Sequence, residues 1–315
     1  MPVGGATKYT WSVPAGWVIT AGQGTRQITV TTNVSSGIKT ISLVNEYIVV
    51  PVCTSTSRST TTNQNPIATI NSANSKTVCD ITPLAYTATS ATAGCTFAWT
   101  RAVVAGIANP AGAGATALIN ESLDNTTAAQ VNAIYIITPT INGCVGTPFN
   151  LTVTVNPIAV ITSAAVKTVC NVTPLAYTAT SSTAGASFAW TRAVVAGISN
   201  GAGAGATALI NESLNNTTTA AVNATYVITP GFGGCSGTPF NLIVTVQPTA
   251  VITSAAAKTI CDNASTAYVI TSSTAGTTFA WTRAAVGGIA NPAGAGAGAN
   301  INENLDNTAT GSRNV

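Results

Sequence analysis

The chain has 315 residues, 46% hydrophobic and only 6% charged, with 11 basic and 8 acidic side chains and no histidine. That length accommodates about two to four domains, and the apolar content excludes the low-hydrophobicity, high-charge signature of a disordered chain. The basic residues stand singly (Lys8, Arg26, Lys39, Arg58, Lys76, Arg101) rather than in runs, so no nucleic-acid footprint is present, and no apolar run reaches the about eighteen residues of a membrane-spanning helix.

In chain order, the opening Met-Pro-Val-Gly-Gly has neither the basic cluster nor the apolar stretch of a signal peptide, so any such signal is expected upstream. Residues 1–50 read as strands around Lys8–Ser12, Trp17–Thr20, Gln27–Thr32 and Lys39–Val50, separated by turn residues such as Pro14-Ala15-Gly16 and Gly22-Gln23-Gly24. They are expected to form part of a sandwich. Residues 51–66 are polar and Ser/Thr-rich and read as a linker, with Cys53 at its start and expected to pair upstream.

From there the sequence repeats. Phe-Ala-Trp-Thr-Arg-Ala occurs three times, with Trp99, Trp190 and Trp281 each 91 residues apart, and Cys79, Cys170 and Cys261 keep the same spacing. The copies span 67–157 and 158–248, and a third, 249–315, stops short of the full period. This period exceeds the about 20–50 residues of a solenoid unit and suits one β-sandwich of about 100 residues. Within the first copy, strands are predicted at Leu84–Ser90, Thr96–Ala102, Ala117–Leu123, Val131–Thr138 and Phe149–Asn156, with a Gly-rich loop at 108–115. No segment shows a helix period, so the fold is expected to be all-β, a row of sandwiches arranged as beads on a string.

Trp99, Trp190 and Trp281 alternate with small residues and are assigned to the core; the alternative is a stacking platform for a ligand. Arg101 with Glu121, Arg192 with Glu212 and Arg283 with Glu303 recur as opposite charges and are candidate salt bridges, worth about 0–1 kcal/mol if exposed. Cys79 and Cys144 lie 65 residues apart, as do Cys170 and Cys235. One disulfide per copy is the simplest reading and places the chain in an oxidising compartment; reduced buried cysteines are the alternative. Cys95, replaced by Ala186 and Thr277, is expected to be free.

Catalytic chemistry is not legible. Histidine, the commonest general base, is missing. Calcium held by Glu121 and Asp124 is a weak reading, because Asp124 becomes Asn215 in the second copy and calcium takes about six to eight oxygens. Asn125-Thr126-Thr127 is a possible glycan acceptor. No cofactor or metal is expected.

The segment Tyr9–Val30 (YTWSVPAGWVITAGQGTRQITV) resembles the PKD-like, immunoglobulin-like domains strung along large surface proteins of Bacteroidota. The repeats, with TPLAYTATS, FAWTRA, NESLDNTT, YIITP and GTPFNLTVTVNP, resemble a second PKD-like family found in tandem in such proteins. The resemblance implies tandem immunoglobulin-like β-sandwiches, secretion, a stalk or adhesin role and no catalytic residues. It makes other domains of a larger surface protein the expected partners, with surface polysaccharide or like subunits as further ones. Two other readings stay open. A polysaccharide-binding module would need Tyr86, Tyr135 and Phe149 exposed in a row, and an extracellular filament would fill the open edge of the third copy with a strand from another chain.

Overall fold

Alternating apolar and hydroxyl side chains make strands throughout, and no helix occurs among the described residues. The computed structural model describes residues 7–32, 37–47, 53–54 and 56–315; the side chains of Thr7, Asn45, Tyr47, Cys53 and Thr54, and with them the pairing expected of Cys53, lie outside the description. The chain divides into two units, Met1–Pro157 and Ile158–Val315.

The N-terminal segment contains β1 (Thr7–Ser12), β2 (Val18–Ala21), β3 (Thr29–Thr31), β4 (Gly37–Tyr47), β5 (Cys53–Thr54) and β6 (Arg58–Gln64). β4 lies between β1 and β5 and also pairs β6, while β2 and β3 form a separate ribbon. The linker expected at 51–66 is corrected here: Arg58–Gln64 runs antiparallel to β4, from Gly37↔Gln64 to Leu43↔Arg58. Its Ser/Thr sequence is mostly exposed and has no apolar alternation to betray a strand.

The first copy contains β7 (Ser75–Cys79), β8 (Tyr86–Thr87), β9 (Thr96–Arg101), β10 (Gly112–Gly114), β11 (Leu118–Ile119), β12 (Val131–Ile141), β13 (Cys144–Val145) and β14 (Phe149–Asn156). Its main sheet has the order β10-β9-β12-β14-β7, with β13 closing a hairpin on β12; β8 and β11 form the opposite layer. That hairpin turns at Asn142 and Gly143, both at positive φ (44° and 78°), the conformation an Asn-Gly turn supplies. Leu151, Val153 and Val155 of β14 and Ala133, Tyr135 and Ile137 of β12 are fully buried, and pack with Trp99, Ile119 and Leu123. The first strand, β7, runs parallel to the last, β14, from Thr152↔Ser75 to Asn156↔Cys79.

The second copy repeats this arrangement with β15 (Val166–Cys170), β16 (Tyr177–Thr178), β17 (Ser187–Arg192), β18 (Gly203–Gly205), β19 (Leu209–Ile210), β20 (Val222–Phe232), β21 (Cys235–Ser236) and β22 (Phe240–Gln247). In the third, β23 (Tyr268–Val269) pairs β26 (Asn300–Ile301), and β24 (Ala280–Arg283) pairs β25 (Gly294–Ala297).

The disulfides expected within each copy are also corrected. Cys144 and Cys170 carry free thiols, whereas Cys79 and Cys235 are disulfide-bonded. Cys79 sits beside Asn156, the last residue of β14, and Cys144 beside Ile141 at the hairpin, beyond the Ile137↔Phe149 pair that begins β14. The length of β14 separates them, about 23 Å at about 3.3 Å per residue, while a disulfide needs Cα atoms within about 7 Å. Cys95 is free, as expected.

Ile81 adopts φ 58° and Val172 φ 52°, and the third copy places Asn263 there at φ 55°. A β-branched residue in this region is strained by about 1–2 kcal/mol, whereas asparagine tolerates it. Ile81 is also largely exposed, so Ile81→Asn is expected to raise stability by about 0.5–1 kcal/mol, read as an increased urea midpoint; an unchanged or lowered midpoint would count against the strain.

Candidate functional site

The sites the sequence singled out converge inside the sandwich. Arg101 ends β9 on the inward face, and its side chain has no solvent exposure. Its Nε donates to Glu121 Oε2 at 3.1 Å and its Nη2 to Glu121 Oε1 at 3.2 Å, a two-pronged pair. Two further guanidinium protons go to backbone: Nη2 to Pro110 O at 2.7 Å and Nη1 to Ala102 O at 3.2 Å. Tyr135 of β12 donates its hydroxyl to Glu121 Oε2 at 2.7 Å, its ring lies 5.9 Å from the Arg101 carbon, and Trp99 packs on it at 5.7 Å between ring centres. The guanidinium is therefore buried and the carboxylate half-buried, so removing Glu121 would leave an uncompensated buried charge.

The second copy reproduces the cluster: Arg192 Nε to Glu212 Oε2 at 3.0 Å, Tyr226 hydroxyl to Glu212 Oε2 at 2.7 Å, and Trp190 on Tyr226 at 5.7 Å. In the third, Arg283 Nε reaches Glu303 Oε2 at 2.9 Å. Residues 249–315 contain no counterpart of β12, and there Trp281 is half-buried, whereas Trp99 and Trp190 are buried.

Two glycines admit this cluster. A Cβ on Gly112 would lie 2.5 Å from Glu121 Oε1, and one on Gly114 would lie 2.7 Å from the Trp99 indole. The Ala-Gly-Ala-Gly stretch expected as a loop is thus an edge strand, β10, bearing hydrogen at the points where the carboxylate and the indole come closest. Gly203 and Gly205 meet Glu212 and Trp190 in the same way. Sequence reading put Tyr135 in a candidate exposed row and Gly112 and Gly114 in a loop, and missed their part in this cluster; their recurrence at the period of 91 was the available signal.

Burial would raise the pKa of Glu121, but hydrogen bonds from Arg101 and Tyr135 and the guanidinium charge outweigh it and hold the carboxyl below its ordinary range. Burial and the Glu121 carboxylate push the Tyr135 hydroxyl well above its ordinary range. Glu121 thus accepts three hydrogen bonds from Arg101 and Tyr135, and among the described residues no three His, Cys, Asp or Glu side chains gather as a metal site.

The remaining candidates are structural. Asn125 is buried and donates its Nδ2 to Ala129 O and Val155 O at 2.8 and 3.0 Å, so the amide a glycan would need is occupied; Asn216 does the same. Tyr86 and Tyr135 are buried and Phe149 packs partly buried against the core. The exposed aromatic row is not formed.

Residues 76–159 and 167–250 match one family model described as a PKD-like domain, and residues 1–61 match a second model of the same description. No curated protein matches the chain. Among solved structures the chain is similar to mouse cadherin-23 EC22–24 (14% identity, 79% of this chain and 89% of that one, TM-score 0.30). It is also similar to mouse clustered PcdhgC3 EC1–3 (9%, 77% and 89%, 0.34) and chicken CNTN1 FN1–FN3 (8%, 77% and 90%, 0.31).

Gly112→Ala, which forces the carboxylate off Arg101, is expected to cost about 1–3 kcal/mol in denaturant unfolding, whereas Gly201→Ala, with nothing within 4 Å of the new carbon, leaves the unfolding free energy within about 0.5 kcal/mol. Equal effects would dismiss the close approach. Because the folded-state pKa of Glu121 and Glu212 is depressed, their contribution is complete above the ordinary carboxylate range and lost as pH falls through the lowered value. Stability measured by urea titration should fall on acidification, and the doubly substituted Glu121→Gln, Glu212→Gln chain should start lower and fall less. An identical acid slope in both chains would remove the carboxylates from the account.

Proposed function

The chain belongs to the PKD-like domain family, and we propose that it is a non-catalytic, tension-bearing segment of a larger extracellular protein, the stalk of a surface adhesin of the kind strung with such domains in Bacteroidota. The observation that carries this reading is the parallel pairing of the first and last strands in each of the first two copies, β7 with β14 and β15 with β22. Pulling the ends of such a copy apart slides the two strands along each other, so the ladder is loaded in shear, all bonds together rather than one after another. Backbone bonds from Thr152 N to Asn74 O and from Asp80 N to Asn156 O bracket the ladder.

Two further features support the reading. In the first two copies the recurring arginine and glutamate are engaged with each other and with a buried tyrosine; in the third, Arg283 and Glu303 pair beside an open cavity. Cys79 and Cys235 are disulfide-bonded, which suits an oxidising, extracellular setting. The partners proposed are neighbouring domains of the same surface protein.

Stretching single molecules held by their ends tests this. With the cystines of Cys79 and Cys235 reduced, each of the two copies is expected to open in one event, lengthening the chain by about 300 Å at about 3.6 Å per residue. The even-numbered residues of β7 turn their backbone groups to β14, so Lys76→Pro, which deletes a ladder donor, should lower the opening force of that copy. Thr77→Pro, whose N–H points away, should lower it far less. Equal forces in both variants would defeat the shear reading.

A further inference from the structure

A cavity of about 920 Å³ opens in the third copy, and Ile260, Trp281, Arg283, Ile301, Glu303 and Leu305 are in its wall. The first two copies show what the same positions meet. There β9 pairs β12, β12 pairs β14 and β14 pairs β7, so two strands stand between the strand that carries Trp99 and the first strand of the copy; the second copy repeats this order. In the third copy β24 pairs β25 alone, and residues 257–261, which correspond to β7 and β15, form no strand. Ile260 is half-buried where Val78 and Val169 are buried. Glu303 Oε2 accepts from Arg283 Nε, and in the other copies the same oxygen also takes a tyrosine hydroxyl.

We propose that this groove binds a two-stranded β-hairpin supplied by a partner polypeptide, with a tyrosine on its first strand and alternating aliphatic residues on its second. The two edges set the number and the direction of the strands. β24 offers an antiparallel edge, as β9 does to β12, and residues 257–261 offer a parallel one, as β7 does to β14. One added strand would leave an edge unpaired, whereas two close the sheet. The side chains follow from the register. A tyrosine opposite Arg283, as Tyr135 stands opposite Arg101, puts its ring against Trp281 and its hydroxyl on Glu303. Arg283 and Glu303 already pair with each other, so the hairpin needs no charge, and β12 and β14 carry none. A second copy of this chain is not the donor, because β12 and β14, like β20 and β22, form the cores of their own copies.

Burial of apolar surface at Ile260 and Trp281 drives the association, and the two ladders fix its register. The phenol selects the sequence. A hairpin with phenylalanine at that point fills the same space but leaves Glu303 one hydrogen bond short.

The test adds a synthetic peptide with the sequence of residues 134–156, carrying Cys144→Ser, to the whole chain, and follows binding by calorimetry and amide hydrogen exchange. One peptide is expected to bind per chain, with new protection at residues 257–261 and 280–283 and no change in the first two copies. The peptide with Tyr135→Phe is expected to bind about tenfold more weakly, and Glu303→Gln in the chain should narrow that difference. No binding, equal binding of a peptide with the same residues in scrambled order, or equal binding of the tyrosine and phenylalanine peptides would overturn the proposal. So would dimers of the chain that the peptide disperses, which would make a second copy the occupant. The tension reading is untouched by any of these failures, since it rests on the β7–β14 and β15–β22 ladders.

Discussion

A guanidinium with no exposure must have its charge and its protons satisfied by protein, and the way Arg101 is satisfied ties each copy together. Its partner Glu121 follows β11 in the opposite layer, its neighbour Tyr135 is on β12, and its last acceptor, Pro110 O, precedes β10. One cluster therefore fixes the separation of the layers, the inward face of β12 and the path of the edge strand. The glycines of β10 are a consequence: with alanine at 112 the carboxylate would have to leave the guanidinium, and Arg101 would be a buried charge without its counter-ion.

The strands that were legible are those whose alternation is local. Phe149–Asn156 was predicted with the bounds of β14, and Thr96–Ala102 differs from β9 by one residue, because Leu151, Val153 and Trp99 alternate with hydroxyls and small residues. β10 was not legible, since Gly and Ala carry no alternation and the reason they form a strand lies in the side chains of Trp99 and Glu121. β7 was missed for another reason. Its partner is 77 residues away and parallel, so no turn announces the pairing. β6 was hidden by its composition, a Thr-rich strand with little burial on either face.

The same parallel pairing explains the failure of the disulfide expectation. Equal spacing of Cys79 and Cys144 in two copies is a statement about the chain, not about space. A first strand antiparallel to the last would have ended near the hairpin and brought the two sulfurs together. A parallel one carries Cys79 to the far end of β14, beside Asn156. The feature that separates the cysteines also sets the ends of a copy at opposite ends of one ladder, so both follow from a single choice of strand direction.

A chain with so few charges must also stay soluble and unpaired on its outer faces. The outer face of the main sheet in the first copy carries Thr100, Asn132, Ile134, Thr152 and Thr154 without a charged residue, and Thr154 donates to Asn132 across the strands at 2.8 Å. At the cross-strand position where the first copy pairs Ile134 with Thr152, the second pairs Thr225 with Ile243. The isoleucine has changed strands, but each copy keeps one aliphatic and one hydroxyl residue there. Two isoleucines would join into a larger exposed apolar patch, of the kind that promotes association, and two threonines would give up the aliphatic contact that favours strand pairing. Ile136, exposed on the same face beside Ile134, likewise stands opposite Asn150 and Thr100 rather than opposite another aliphatic residue, so across the strands of this uncharged face methyl groups alternate with polar ones.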